Sequence, residues 1–492
     1  MRITVSILLV FIFWSVKGQE FKRISGREPD GTDSIQLGRT ATYAGAAFVD
    51  VNEDGYLDLS AAPGYLLIND RQGHFQFVPD AFPGSSNPES TNCGVTWADF
   101  DNDGHLDVCI AGYPTQLYRG LGNGNFERVE QVLFATDSIP AWGAVFGDIN
   151  GDAWIDLVTV YPDNFVQGAP SEGNRLLLND HGIFREDRNY TFTTGAAPYT
   201  VGTIIDFDED GDFDLFFGTG PGGPSGYDSI YINRRQETHG EVLFSHLSGY
   251  PFTDSLQNGQ VYSFIDLDND LDLDLFLTNW QSVPNRLYRN EDGHFVEESS
   301  ILSKHGTFLS PVWGDFDNDA DLDLILVQQV GLTELYLNDG VGKFTRYDGC
   351  YPLLATLAVG GTAGDIDRDG DLDLYLHSRG VGKALYENVS NNGNHWIQLD
   401  LEGTASNRAA IGAKVSTYAR LHGTLLHQRR DVSACNTFNG HNALRQHFGL
   451  GEATRLDSIV VDWPSGIHNV WKDVPMDQIL SLRESDPAQG QK

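Results

Sequence analysis

Basic residues are scarce in this 492-residue chain: 32 Lys and Arg stand against 69 Asp and Glu, for a formal net charge of -37. Phosphate-backbone affinity rests on Lys and Arg, so a nucleic-acid partner is excluded. Cysteine is scarce too. Cys93, Cys109, Cys350 and Cys435 have no metal-knuckle spacing and leave room for at most two bridges. Beyond the N-terminus no stretch approaches the roughly 18 consecutive apolar residues of a membrane span, and no segment sustains a 3.6-residue apolar period. A G-x-S-x-G elbow, a phosphate-cradling P-loop and a dinucleotide fingerprint between a strand and a helix are all missing, so no catalytic residue is nominated.

The remaining composition argues for a folded protein. A hydrophobic content of 40% and an aromatic content of 11% are too high for a disordered acidic chain, and the length suits two or three domains or one large repeat fold with a smaller module. The N-terminus, MRITVSILLVFIFWSVKGQE, sets Arg2 before an apolar run from Ile3 to Trp14. It reads as a secretory signal peptide over residues 1–18, cleaved after Gly18, which implies a secreted or exported protein.

One acidic segment recurs seven times, beginning at Asp50, Asp99, Asp148, Asp206, Asp266, Asp315 and Asp365, at intervals of 49, 49, 58, 60, 49 and 50 residues. About fifty residues is the length of one four-stranded propeller blade. Short apolar stretches precede each acidic loop, alternating ones follow it, and a turn with Asn, Asp and Gly leads to a Phe that opens a further strand, as in NRLYRNEDGHF. These patterns predict an all-β fold: a seven-bladed β-propeller over residues 19–393, a small β-sandwich over 394–484 and a disordered tail over 485–492. The last repeat lacks its final strand, whereas EFKRIS near the N-terminus has the look of that strand. Residues near Phe21 are therefore expected beside Leu385 and Tyr386, closing the ring.

Oxygen-bearing side chains occupy positions 1, 3, 5 and 9 of each loop. They are Asp50, Asn52, Asp54 and Asp58; Asp99, Asp101, Asp103 and Asp107; Asp148, Asn150, Asp152 and Asp156; Asp206, Asp208, Asp210 and Asp214; Asp266, Asp268, Asp270 and Asp274; Asp315, Asp317, Asp319 and Asp323; and Asp365, Asp367, Asp369 and Asp373. This is the ligand order of a calcium loop, and hard oxygen donors without His or Cys favour Ca²⁺, up to seven ions. It is not an EF-hand, because position 12 is never the bidentate Glu. Ala153, Leu271 and Ala320 replace Gly at position 6, which is costly only if the turn needs a positive φ.

The two longest repeats carry their extra residues after the strand that follows the acidic loop, on the face opposite the calcium loops. Tyr113, Tyr161, Phe165, Tyr227 and Trp280 fall in such connections. They form either a stacking platform for a glycan or peptide or the packing of their own loops. The six histidines of the C-terminal region, His395, His422, His427, His441, His447 and His468, have no metal-binding spacing.

The D-x-[DN]-x-D-G-x-x-D loops resemble the FG-GAP/VCBS repeats, which include the propeller of integrin α subunits. NHWIQLDLEG from Asn394, SNRAAIGAKV from Ser406, HFGLG from His447 and VVDWPSG from Val460 resemble the ASPIC/UnbV domain. Where that family often has a Gly-rich segment with a Ser-Gln pair before HFGLG, this chain has ACNTFNGHNALRQ. The pairing of the two resembles the cartilage acidic protein-like family. The reading that follows is a secreted calcium-binding propeller acting as an extracellular binding or adhesion module for a protein or polysaccharide. The alternative is a carbohydrate-active lyase or hydrolase using the open propeller face.

Overall fold

The computed structural model describes residues 20–485 except 25–32, 34, 36–42, 85–93, 131–138, 163–172, 196–198, 221–227, 282, 350–356 and 379–382. The signal segment, the tail from 486, Phe165, Tyr227, Cys93 and Cys350 lie outside the described residues. Those described form nine sheets and a single short helix, Thr191–Thr194.

Seven of the sheets are four-stranded antiparallel meanders drawn from residues 21–388. In the first, Ala46–Val49 pairs with Asp58–Ala61, then Tyr65–Asn69, then Phe75–Phe77. The strand nearest the axis is buried on both faces, so it is built of small and apolar residues with no alternation. The outermost strand faces solvent on one side, so Phe75 is buried and Gln76 exposed. Neighbouring sheets share cores. Val49 and Leu66 of the first pack with Trp97 and Tyr118 of the second, and the series returns to its start where Phe48 and Leu59 meet Ile366 and Tyr375 of the last sheet. This all-β ring is a propeller, and its edges are consumed by closure.

The last sheet is completed from the other end of the chain. Phe21–Ile24 pairs antiparallel with Ala384–Asn388, placing Arg23 opposite Tyr386 and Ile24 opposite Leu385. The strand joins where the sequence pattern predicts it.

An Asn recurs near the end of the third strand in six of the seven sheets, the second having Gly120 instead, and in five of them it does more than turn the chain. Asn338 Nδ2 donates to Leu267 O of the preceding sheet at 2.8 Å. Asn69, Asn179, Asn233 and Asn388 reach back in the same way to Ile366, Phe100, Ile149 and Phe316. Each buried carbonyl so paired removes a desolvation cost of about 1–3 kcal/mol.

Residues 395–483 form two facing sheets. One orders Gln446–Gly451, His395–Glu402 and Gln478–Arg483, and the other orders Thr424–Asp431, Lys414–Leu421, Arg455–Asp462 and His468–Val474. Ile397, Leu399 and Phe448 pack against Val415, Ile459 and Val461 between them. These two sheets are the small β-sandwich expected over residues 394–484.

Candidate metal centres and the channel plug

Each acidic loop leaves an innermost strand and ends on the position 9 Asp that opens the next strand, all on one face of the ring. The turn is tightened by its own carboxylates. Asp50 accepts from the Asp54 and Gly55 amides at 3.0 and 2.7 Å, and Asp58 accepts from Val51 at 3.1 Å and Asn69 at 2.8 Å. Position 6 does need a positive φ: Ala153, Leu271 and Ala320 sit at 69°, 78° and 85° where the other loops have Gly. Those three loops store strain that glycine avoids.

The carboxylates converge. Ligand oxygens of Asp99, Asp101 and Asp107 lie within 4.8 Å of one another, as do those of Asp315, Asp317 and Asp323 and those of Asp206, Asp208 and Asp210. At position 3, one oxygen each of Asp101, Asp268 and Asp317 is buried without a hydrogen-bond partner. Burial pushes Asp58 and Asp214 up to about 8 and Asp107 up to about 9. Burial, followed by repulsion from Asp317, raises Asp323 well above the carboxylate range. Orphaned oxygens among mutually repelling, desolvated carboxylates fit a hard divalent cation such as calcium.

The C-terminal sheets sit on this same face. Lys414 Nζ reaches Asp206 Oδ2 at 2.7 Å, Gln398 Nε2 reaches Asp365 Oδ2 at 2.6 Å, and Arg429 Nη1 reaches Glu209 at 2.6 Å. His447 Nε2 meets Gly370 O at 3.1 Å, and burial depresses that imidazole to about 4, so it is neutral.

From the sandwich, residues 434–443 descend into the centre of the ring. Thr96 Oγ1 donates to Ala434 O, the Ile204 amide to Cys435 Sγ, the Phe438 amide to Ser310 Oγ, the Val95 amide to Asn439 O, and the His441 amide to Ala46 O. Thr362 Oγ1 donates to His441 O, and Asn442 Nδ2 to Trp313 O. Phe438 is fully buried among Ala44, Val201, Val261, Trp280, Leu309 and Val359. Gly440 is required here, because a Cβ would stand 2.3 Å from Ala46 O. This plug is the ACNTFNGHNALRQ stretch, whose sequence shows no periodicity and so offered no signal of its place. Cys435 is a buried free thiol, and Cys109 is buried as well.

The described aromatic candidates of the opposite face separate. Tyr113 is 45% exposed, whereas Tyr161 is fully buried beneath the Arg175 guanidinium and Trp280 is 5% exposed. The last two are core residues because their strand ends turn inward. Tyr43 and Trp142, which sequence reasoning missed, lie with ring centroids 5.3 Å apart at a 32° tilt, and Trp280 and Phe438 each meet Tyr43 edge-on at 6.4 Å.

Residues 403–489 match the ASPIC and UnbV family model, and residues 59–110, 108–159 and 266–326 match the FG-GAP-like repeat model. Cartilage acidic protein 1 of Homo sapiens is 26% identical over 480 residues, covering 86% of this chain and 69% of that protein. Its Mus musculus counterpart is 24% identical over 511 residues, covering 89% and 73%. The V. cholerae biofilm matrix protein Bap1 aligns at 12% identity with a TM-score of 0.29, over 94% of this chain and 72% of that one. The chain thus joins FG-GAP-like repeats to an ASPIC and UnbV domain and is similar over most of its length to cartilage acidic protein 1.

Proposed function

We propose that this is an exported, calcium-stabilised binding module of seven blades whose partner, an extracellular protein or polysaccharide, docks on the face opposite the acidic loops. The observation that carries the reading is the placement of the C-terminal sheets. They cover the loop face and fill the channel with residues 434–443, so a partner is left the connections around Tyr113 and Leu332, both exposed. Calcium serves the scaffold in this reading: it neutralises carboxylates that would otherwise repel, and so stiffens the ring that presents the opposite face.

Immobilised full-length protein in calcium, probed with arrays of extracellular matrix proteins and polysaccharides, tests the proposal. Tyr113→Ala with Leu332→Ala should weaken a hit at least tenfold, whereas Val470→Ala, on an outer strand of the C-terminal sheets, should leave it unchanged. The opposite pattern would overturn the proposed face, and turnover of a bound polysaccharide would overturn the pure binding role.

A further inference from the structure

The seven loops are alike in one bond that a single loop breaks. At the loops starting with Asp50, Asp99, Asp148, Asp206, Asp315 and Asp365, the position 2 amide donates to Oδ2 of the position 9 Asp at 2.8 to 3.2 Å. In the loop starting with Asp266 that oxygen, on Asp274, is instead held by Arg289 Nη1 at 2.7 Å. The same nitrogen lies 3.1 Å from Asp268 Oδ2. One guanidinium nitrogen thus spans ligand positions 3 and 9.

Arg289 is fixed there. Its Nε donates to Glu298 at 2.9 Å and its Nη2 to Val341 O of the next sheet at 2.7 Å, and its side chain is 14% exposed. Guanidinium stays charged at any ordinary pH and presents its donors in a rigid fork, so it does not yield the site by deprotonating. Elsewhere the equivalent residue is Ile68, Leu178, Ile232, Leu337 or Glu387, and at the second loop it is Arg119, which touches Asp101. Arg71, Arg234 and Lys414 likewise each approach one ligand carboxylate of their loops. Oxygens of Asp266, Asp268 and Asp270 converge within 4.8 Å as in other loops, and Asp268 keeps one oxygen unpartnered, but a calcium ion there would share Asp268 and Asp274 with a resident cation 3.1 and 2.7 Å from them, where like charges repel strongly.

We propose that the loop starting with Asp266 is a calcium-independent copy whose cation is Arg289, so that the chain binds fewer calcium ions than it has acidic loops. The inference rests on the calcium reading above. Equilibrium dialysis, with bound calcium counted per folded full-length chain, tests it through matched position 5 variants. Asp319→Ala should lower the count by one and Asp270→Ala should not. Arg289→Gln should raise the count by one, and in chelator it should melt below the parent, with the gap closing as calcium is added. Equal losses from Asp270→Ala and Asp319→Ala would overturn the inference while leaving the calcium reading intact, and this comparison decides the matter even if Arg289→Gln fails to fold. No bound calcium in any chain would overturn both.

Discussion

Phe438→Ala removes the centre of the plug while leaving its backbone bonds in place. The ring is fully buried among residues of several sheets, including Ala44, Val201, Val261, Leu309 and Val359. Returning an aromatic side chain to water forfeits about 1.5–3 kcal/mol. The surrounding strands are each paired within their own sheets and cannot close on the space, so a cavity adds to the loss and the total should reach about 3–5 kcal/mol. That is a large share of the roughly 5–15 kcal/mol that separates a folded domain from its unfolded chain. Urea unfolding of the full-length protein measures it, and hydrogen exchange locates it. The amides of Val95 and His441, which bond across the plug to Asn439 and Ala46, should exchange faster, whereas the outer strand His468–Val474 should not. Phe438→Leu should recover part of the loss. A destabilisation below about 1 kcal/mol with unchanged exchange at Val95 and His441 would refute the plug as part of the core.

Further outcomes follow from the same structure. Asn338→Ala should cost about 1–3 kcal/mol in a melt because it orphans the buried Leu267 carbonyl, whereas Asn290→Ala should cost less, since Asn290 Nδ2 bonds only within its own loop, to Leu273 O. Chelation should lower the melting temperature, each loop occupied at about 1 mM calcium contributing roughly 0.4 to 1.4 kcal/mol. Deleting residues 20–24 removes the strand paired with Ala384–Asn388 and should lower the melt markedly. Burial works to raise the Glu484 carboxyl, but bonds from the Ser406 amide, the Ser465 hydroxyl and the Thr404 and Ala405 amides outweigh it and hold the group below its ordinary range. Its stabilisation is present above the unfolded-state value of about 4.3 and is lost as pH falls through the lower folded value, so Glu484→Gln should destabilise at pH 7 and match the parent in acid.

The ring was legible in the sequence because its signals are local. A loop from Asp315 to Asp323 carries its ligand spacing within nine residues, and the missing G-x-F strand of the last repeat pointed directly to Phe21. The plug was not legible because its partners are distributed. Ala434, Asn439 and His441 are satisfied by Thr96, Val95 and Ala46, more than 300 residues away in the chain, and no pattern within ACNTFNGHNALRQ encodes them. The Asn latch was visible as a repeated residue but read as a turn former, since Asn suits turns whatever its side chain meets. Tyr161 and Trp280 were placed in the right connections, yet a strand end does not disclose which way its next side chain points. Arg289 lay in plain view before Asn290, but its significance depends on comparing hydrogen bonds across the loops.

Two different kinds of contact hold the C-terminal sheets to the ring, and they respond to different conditions. At the rim, Lys414, Arg429 and Arg408 face Asp206, Glu209 and Asp99, so residues 394–492, with ten basic and ten acidic residues, turn several of their cations toward the acidic loops. Those pairs are partly exposed, and salt screens them over about 8 Å at physiological ionic strength. In the proposed calcium reading the ion would draw on Asp206 and Asp99 as well. The plug bonds are neutral, made by backbone amides, hydroxyls, a thiol and a carboxamide around a buried aromatic ring. Neither salt nor chelator reaches them directly. The junction is therefore anchored by packing in the channel and only oriented by charge at the rim, so filling or emptying the acidic loops should leave the loop face covered.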